Sequence, residues 1–194
     1  LNLDKFDNDI YDPSAYEGHL KVLDGKGNII SEPYQIEGYF LKNVRVGNLG
    51  KDNLGIVFQL EDTWPTTYNG QRIIGMDYNG NILFDTNLGD YKKIVAGISV
   101  GDVTGDGKSN VLVSYRPRWW GRESSGILIY SQKGILEKEI VIPTLGEAEQ
   151  LEYGADPTLI DFNNDGNVDI VLKTLHLQKN LKGAWQSNIF VFET

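Results

Sequence analysis

Short apolar runs alternate with loops rich in glycine, asparagine and aspartate along the chain, and no stretch keeps the 3.6-residue period of an amphipathic helix. Three segments share the order apolar run, Gly/Asn/Asp loop, second apolar run: residues 44–58, 98–113 and 157–172. Asn48 in the first segment is matched by Asp102 in the second and by Asp161 in the third. These residues are 54 and 59 positions apart, and recurrence at such a spacing indicates a repeat architecture.

A second series of segments interleaves with the first and keeps nearly the same spacing. Residues 19–30, 73–84 and 127–140 each hold two apolar runs around a tight turn that contains glycine, a pattern typical of a β-hairpin. The turn glycines are Gly27, Gly80 and Gly134. Together the two series predict a unit of four short strands in the order A, acidic loop, B, longer loop, C, tight turn, D.

Strand B of each unit is apolar without alternation, as in Ile56-Val57-Phe58, Val111-Leu112-Val113 and Ile170-Val171-Leu172. Such a run predicts that both faces of the strand are buried. Sheets that stack face to face around an axis bury inner strands in this way. The pattern therefore predicts an all-β fold of the β-propeller type, an array of four-stranded blades with about three and a half repeats of roughly 54 residues.

The repeat boundaries divide the chain into an acidic N-terminal segment, residues 1–16, and a single domain, residues 17–194. That domain is expected to contain a partial blade (17–33), two blades (38–86 and 94–142) and an incomplete blade (156–194). Because a closed propeller usually has at least four blades, either the ends pair irregularly or further blades come from a longer parent chain or a second copy. A homo-oligomer of two copies would supply about seven blades.

Two of the A–B loops, 102–110 and 161–169, place oxygen donors at alternate positions around a glycine at the sixth position. Hard oxygen ligands of this number and spacing suit Ca²⁺. The second loop offers side-chain oxygens from Asp161, Asn163, Asp165 and Asp169, and a main-chain carbonyl from Asn167 at its seventh position. The first loop offers the same kinds of donor from Asp102, Thr104, Asp106, Lys108 and Asn110. With three carboxylates against two, the second loop is expected to bind the ion more tightly.

These two segments resemble FG-GAP (VCBS) repeats, the calcium-loop blades of integrin-α-like β-propellers. The resemblance covers most of the chain as a repeat architecture, but only these two loops match the calcium motif strongly. It implies two structural Ca²⁺ ions and an extracellular or cell-surface location, where calcium is abundant. The first repeat departs from the motif, since Gly50 stands where a side-chain ligand is needed, and a plain turn is expected there.

The four tryptophans all fall in the B–C loops, which a strand meander brings out on the face opposite the acidic loops. Exposed aromatic side chains with polar neighbours suit stacking on sugar rings or anchoring of a protein partner. The candidate ligand-binding residues are therefore Trp64, Arg118, Trp119, Trp120 and Trp185. The alternative is that these tryptophans pack between blades.

Composition narrows the possible functions. The 18 basic and 27 acidic side chains give a net charge of −9 without a basic stripe, which argues against nucleic-acid binding. No apolar run is long enough for membrane insertion, and the absence of cysteine excludes thiolate metal sites. His19 and His176 fall on different repeats, so no catalytic constellation is visible. A calcium-stabilised binding module is the favoured interpretation. An accessory or catalytic domain of a polysaccharide-active enzyme and a purely structural assembly segment are the alternatives.

Overall fold

A computed structural model describes residues 17–30, 34–37, 39–50, 53–62, 71–88, 93–117, 124–142, 149–151, 155–177 and 185–193. Every regular element in these ranges is a β-strand, which confirms the all-β prediction. None of the described residues forms a helix long and apolar enough to cross a membrane. The strands are β1 (Glu17–Leu20), β2 (Tyr34–Glu37), β3 (Tyr39–Gly50), β4 (Asn53–Asp62), β5 (Gln71–Asp77), β6 (Ile82–Asn87), β7 (Lys93–Gly101), β8 (Asn110–Pro117), β9 (Gly126–Tyr130), β10 (Leu136–Val141), β11 (Glu149–Leu151), β12 (Thr158–Ile160), β13 (Asp169–Leu177) and β14 (Trp185–Phe192).

The strands form antiparallel sheets in the order that the repeats predict. The first sheet is β3-β4-β5-β6 and the middle sheet is β7-β8-β9-β10, both simple meanders of four strands. In the third sheet β13 pairs with β12, β14 and also β11, a short strand that the sequence did not indicate. The N-terminal hairpin consists of β1 paired with β2. Four-stranded antiparallel sheets are therefore confirmed, and the described sheets do not close into a ring.

The three glycine turns are built alike. In the middle sheet Ser131 donates to the Ile135 carbonyl at 2.8 Å, and Gly134 donates to the Ser131 carbonyl at 2.9 Å. The other two turns have the same pair of main-chain hydrogen bonds: Asp77 donates to Asn81 and accepts from Gly80, and Asp24 donates to Asn28 and accepts from Gly27. All three glycines have φ between 71° and 89°, a region that disfavours side chains with a Cβ. The hairpin turns predicted from glycine spacing are thus confirmed.

The N-terminal hairpin is less regular than the sequence predicts. Between β1 and β2, the chain around the Gly27 turn forms only one isolated bridge, between Leu23 and Ile29. Ile30 also donates to the Val22 carbonyl at 2.9 Å. Among the described residues no third strand pairs with this hairpin, and a two-stranded ladder alone is only marginally stable.

Apolar clusters lie between successive sheets. One joins Val57 and Ile73 of the first sheet to Val111 and Leu128 of the middle sheet. A second joins the middle sheet to the third through Leu112, Ile127, Ile129, Ile170 and Leu172. A third covers Phe58, Leu60, Ile74 and Met76 of the first sheet with Leu20 of the N-terminal hairpin. Both faces of β4 and β8 are consequently buried, as their unbroken apolar runs predicted. For β13 the prediction is wrong on one face: Ile170 and Leu172 are buried, but Val171 is half-buried because none of the described sheets packs on that side.

A polar junction also ties the three larger sheets together. Asp156, just before β12, accepts a bond from the Ile98 amide of β7 at 3.0 Å and forms an ion pair with Arg45 of β3. Arg45 Nε donates to the Ile98 carbonyl at 2.9 Å. Ser114 Oγ of β8 donates to the Ala155 carbonyl at 2.7 Å. The segment that leads into the third sheet is therefore held by side chains of the first and middle sheets.

Candidate metal centres

The two acidic loops connect paired strands at the same end of their sheets. One loop begins after Gly101, where β7 ends, and leads into β8; the other begins after Ile160, where β12 ends, and leads into β13. Each contains two residues in the left-handed region, at its fourth and sixth positions. These residues are Gly105 (φ 71°), Gly107 (φ 78°), Asn164 (φ 59°) and Gly166 (φ 92°). A Cβ built on any of the three glycines would meet open space, so backbone conformation rather than crowding accounts for glycine there.

The first aspartate of each loop accepts main-chain hydrogen bonds from across the loop. Gly107 donates to Asp102 Oδ2 at 2.7 Å, and Gly166 donates to Asp161 Oδ2 at 3.0 Å. Thr104, at the third position of its loop, donates its amide to Asp102 Oδ1 at 3.1 Å. These bonds curl each loop around its first carboxylate, which is the geometry of an Asx turn extended over several residues.

The fifth positions are also alike but differ in charge. Lys108 donates its amide to Asp106 Oδ1 at 2.9 Å, and Asn167 donates its amide to Asp165 Oδ1 at 2.8 Å. The Lys108 ammonium also reaches Asp106 Oδ2 at 3.0 Å, and this side-chain bond is the main reason why the pKa of Asp106 is lowered. The pKa of Asp165 is lowered mainly by the Asn167 amide and then by the Asn163 side chain. Only the first loop therefore contains its own counter-charge.

The ninth positions distinguish the two loops. Asn110 accepts the Val103 amide at 3.2 Å and donates its own amide group to Glu137 of β10 at 2.9 Å. Asp169 accepts the matching amide, from Phe162, at 3.0 Å through Oδ2. Its other oxygen, Oδ1, has no hydrogen-bond partner, and it is buried, since only 1% of Asp169 is exposed. A buried carboxylate oxygen without a partner is costly.

That oxygen provides a test of whether the loops fit a cation. The loop 161–169 contains three carboxylates and no basic residue. The unpartnered Oδ1 of Asp169 is therefore available to a hard cation such as Ca²⁺. The loop 102–110 fits a cation less well, because the Lys108 ammonium already donates to Asp106 and the Asn110 side chain already donates to Glu137. In the part of the chain that the structure describes, no three Asp, Glu or His side chains gather as a ready-made metal cluster. A cation in either loop would therefore also need amide, hydroxyl or main-chain oxygens as ligands.

The predicted ligand-binding residues fall largely beyond the described part of the chain. Trp64, Arg118, Trp119 and Trp120 lie outside the described residues. Trp185 is the first residue of β14 and pairs with Leu177, but its side chain also lies outside the description. Strands β4, β8 and β13 run away from the A–B loops, so they finish at the opposite end of their sheets.

Sequence reasoning missed a cluster of titratable groups on the middle sheet. Glu139 of β10 accepts hydrogen bonds from the Tyr115 hydroxyl and, at 2.9 Å, from the Lys93 ammonium. The Tyr115 bond is the largest cause of the lowered pKa of Glu139, whereas burial raises the pKa of Tyr115. Burial also raises the pKa of the neighbouring Tyr130 to about 12. Tyr115 is therefore a neutral donor that ties strands together, not a base poised near neutral pH.

Comparison with known proteins gives no family assignment. No family model, no curated protein and no solved structure matches the chain.

Proposed function

We propose that the protein is a calcium-stabilised, propeller-type binding module that works outside the cell and recognises a glycan or a protein partner. The observation that carries the calcium assignment is the buried, unpartnered Oδ1 of Asp169 in a loop with three carboxylates. Neutralising clustered carboxylates fixes a loop whose charges otherwise repel one another. The ion is structural in this proposal, since its role is to hold the loop 161–169 in one conformation.

Support for recognition on the opposite face comes from the strand order. The acidic loops and the glycine turns occupy one end of the sheets. The B–C connections, which hold the tryptophans in the sequence, join strands B and C at their other ends. Loops on a rigid scaffold are common sites of function. An enzymatic role needs a convergent acid–base pair, and the Tyr115–Glu139–Lys93 group does not supply one because its members are bonded to each other.

Calcium is expected to raise the melting temperature of the wild-type protein relative to EDTA. An extracellular-type site with a dissociation constant of about 10⁻⁴–10⁻³ M gives roughly 1–2 kcal/mol at about 5 mM calcium, or roughly 3–6 °C. Asp169→Asn is expected to lose most of this shift and to remain as stable as wild type in EDTA, because an amide oxygen still accepts the Phe162 amide. Thermal unfolding with and without calcium measures both effects.

Asp77→Asn is the matched control for this experiment. Asp77 also accepts two main-chain amides, from Asn79 and Asn81, both at 2.9 Å, but it lies in a glycine turn without other carboxylates. Its substitution is expected to leave the calcium-dependent shift unchanged. A wild-type melting temperature that is the same in calcium and in EDTA would remove the calcium assignment.

Binding to a glycan array or to a captured protein is expected to weaken at least about tenfold in Trp119→Ala or Trp120→Ala, as for aromatic residues that anchor an interface. Tyr78→Ala is the matched control, since Tyr78 is an aromatic residue exposed at the acidic-loop end of the first sheet. Turnover of a polysaccharide by the purified chain would instead favour the enzyme alternative. Full binding by both tryptophan variants would contradict the proposed recognition face.

A further inference from the structure

The stacked sheets have two kinds of face, and each contact joins one kind to the other. We call the side of a sheet that packs on the next sheet along the chain its forward face, and the opposite side its backward face. On the middle sheet the forward face carries Leu112, Ile127 and Ile129, which pack on Ile170 and Leu172 of the third sheet's backward face. The first sheet meets the middle sheet in the same manner, and the N-terminal hairpin meets the first sheet through Leu20.

The forward face of the third sheet has no such cover. Its register is equivalent to that of the middle sheet: Leu112 pairs with Ile129 in the one and Val171 pairs with Val191 in the other. Leu112 is 0% and Ile129 is 4% exposed, whereas Val191 is 39% exposed. Ile189, at the position of the fully buried Ile127, is 71% exposed. Apolar side chains that are buried in one repeat are thus open to solvent in the next.

The backward face of the N-terminal hairpin is open in the complementary sense. Leu23 precedes the Gly27 turn as Met76 precedes the Gly80 turn and Tyr130 precedes the Gly134 turn. Met76 is 2% and Tyr130 is 6% exposed, because the preceding element covers each of them, but Leu23 is 52% exposed. Among the described residues, the chain therefore leaves one forward face and one backward face uncovered.

We propose that a second copy of the chain covers these faces, with the hairpin of each copy packed on the third sheet of the other. Within the chain, every forward face that is covered is covered by the backward face of the next repeat. Among the described residues, the hairpin has the one backward face that stays open, so the hairpin of a second copy is the occupant that fits the third sheet. A single copy leaves both faces exposed. Two head-to-tail contacts related by a two-fold axis close into a ring. Each copy contributes the hairpin and three larger sheets, so the ring has eight sheets, which lies within the usual range of about four to eight blades.

A polar position on the open face supports the same assignment. Ser114, on the forward side of the middle sheet, donates to the Ala155 carbonyl of the segment leading into the third sheet. Gln59 holds the equivalent place in the first sheet and reaches the Val95 amide of β7 through Gln71. The third sheet has Lys173 at this position, so all three larger sheets have a polar side chain at the same place of the forward face. The open face therefore has the same pattern as the two covered forward faces, apolar with one polar side chain at this register.

Size-exclusion chromatography with light scattering, at about 100 μM chain in calcium and thus above a micromolar dissociation constant, is expected to give twice the mass of one chain. A dilution series from this concentration gives the dissociation constant of the wild type and of each variant. Ile189→Asp and Leu23→Asp are each expected to weaken association at least about tenfold, because a contact would bury a carboxylate without a partner. Both residues are exposed in the single chain, so both variants are expected to fold. Ile135→Asp is the control, since Ile135 is 63% exposed at the outer turn of the middle sheet.

A mixture of the two variants separates head-to-tail contact from self-pairing of one face. An Ile189→Asp copy keeps an intact hairpin and a Leu23→Asp copy keeps an intact third sheet, so mixing them restores one wild-type contact and is expected to restore dimers. A wild-type monomer at this concentration overturns the proposal. So does a Leu23→Asp variant that still dimerises like wild type, or a wild-type assembly larger than two chains.

Discussion

Gly97→Ala is expected to lower the free energy of unfolding by about 3 kcal/mol. A Cβ at Gly97 would lie 2.6 Å from the main-chain nitrogen and Cα of Asp156, and main-chain atoms cannot rotate away as a side-chain tip can. The segment that leads into the third sheet would have to move off β7. Overpacking of this kind typically costs about 1–3 kcal/mol, and breaking the Asp156–Ile98 hydrogen bond adds about 1 kcal/mol or more.

Gly101→Ala is the matched control on the same strand. The nearest atom to a Cβ at Gly101 is Cδ1 of Leu159, at 2.5 Å, and the next is 3.9 Å away. Because a leucine methyl group can move, the expected cost is less than about 1.5 kcal/mol. Urea denaturation of both variants in saturating calcium gives the comparison. Equal costs would mean that the Asp156 segment is free to shift and that the polar junction is weaker than its contacts indicate.

The repeat was predictable because its signals are local. Each glycine turn is specified within a few residues, and Gly27, Gly80 and Gly134 all lie in the tight turns that the sequence predicted, with positive φ. The unbroken apolar runs of β4 and β8 likewise indicated burial on both faces. Strand order then followed from the order of these local signals, since neighbouring strands joined by short connections usually pair.

What the sequence left hidden depends on contacts between distant segments. Arg45 and Asp156 form their ion pair across 111 positions, and neither lies in a motif. Asn110 and Asp169 occupy the same position of the calcium motif, and only the structure places Glu137 of β10 against the first of them. Gln59 was a local signal that could have been used, since a single amide inside the apolar run of β4 indicates a buried polar contact.

Leu112→Ala is expected to destabilise the protein by about 2–5 kcal/mol, with or without calcium. Leu112 is fully buried between the middle and third sheets, and truncation removes apolar contacts and leaves a cavity that strands on both sides hinder from collapsing. The loss is an apolar packing effect between sheets, and an ion held by loop oxygens does not replace the missing contacts. Chemical denaturation at low protein concentration, in calcium and in EDTA, measures the free energy of unfolding.

Val171→Ala tests whether burial, rather than position in the repeat, sets this cost. Val171 has the register of Leu112 but lies on the half-exposed forward face of the third sheet. In a single chain its truncation is expected to cost less than about 1 kcal/mol, because less apolar surface leaves water on folding. At higher protein concentration the same variant is expected to weaken association instead. Equal unfolding costs for the two variants at low concentration would show that the third sheet's forward face is already covered within one chain, and the two-copy assembly would then lack its contact surface.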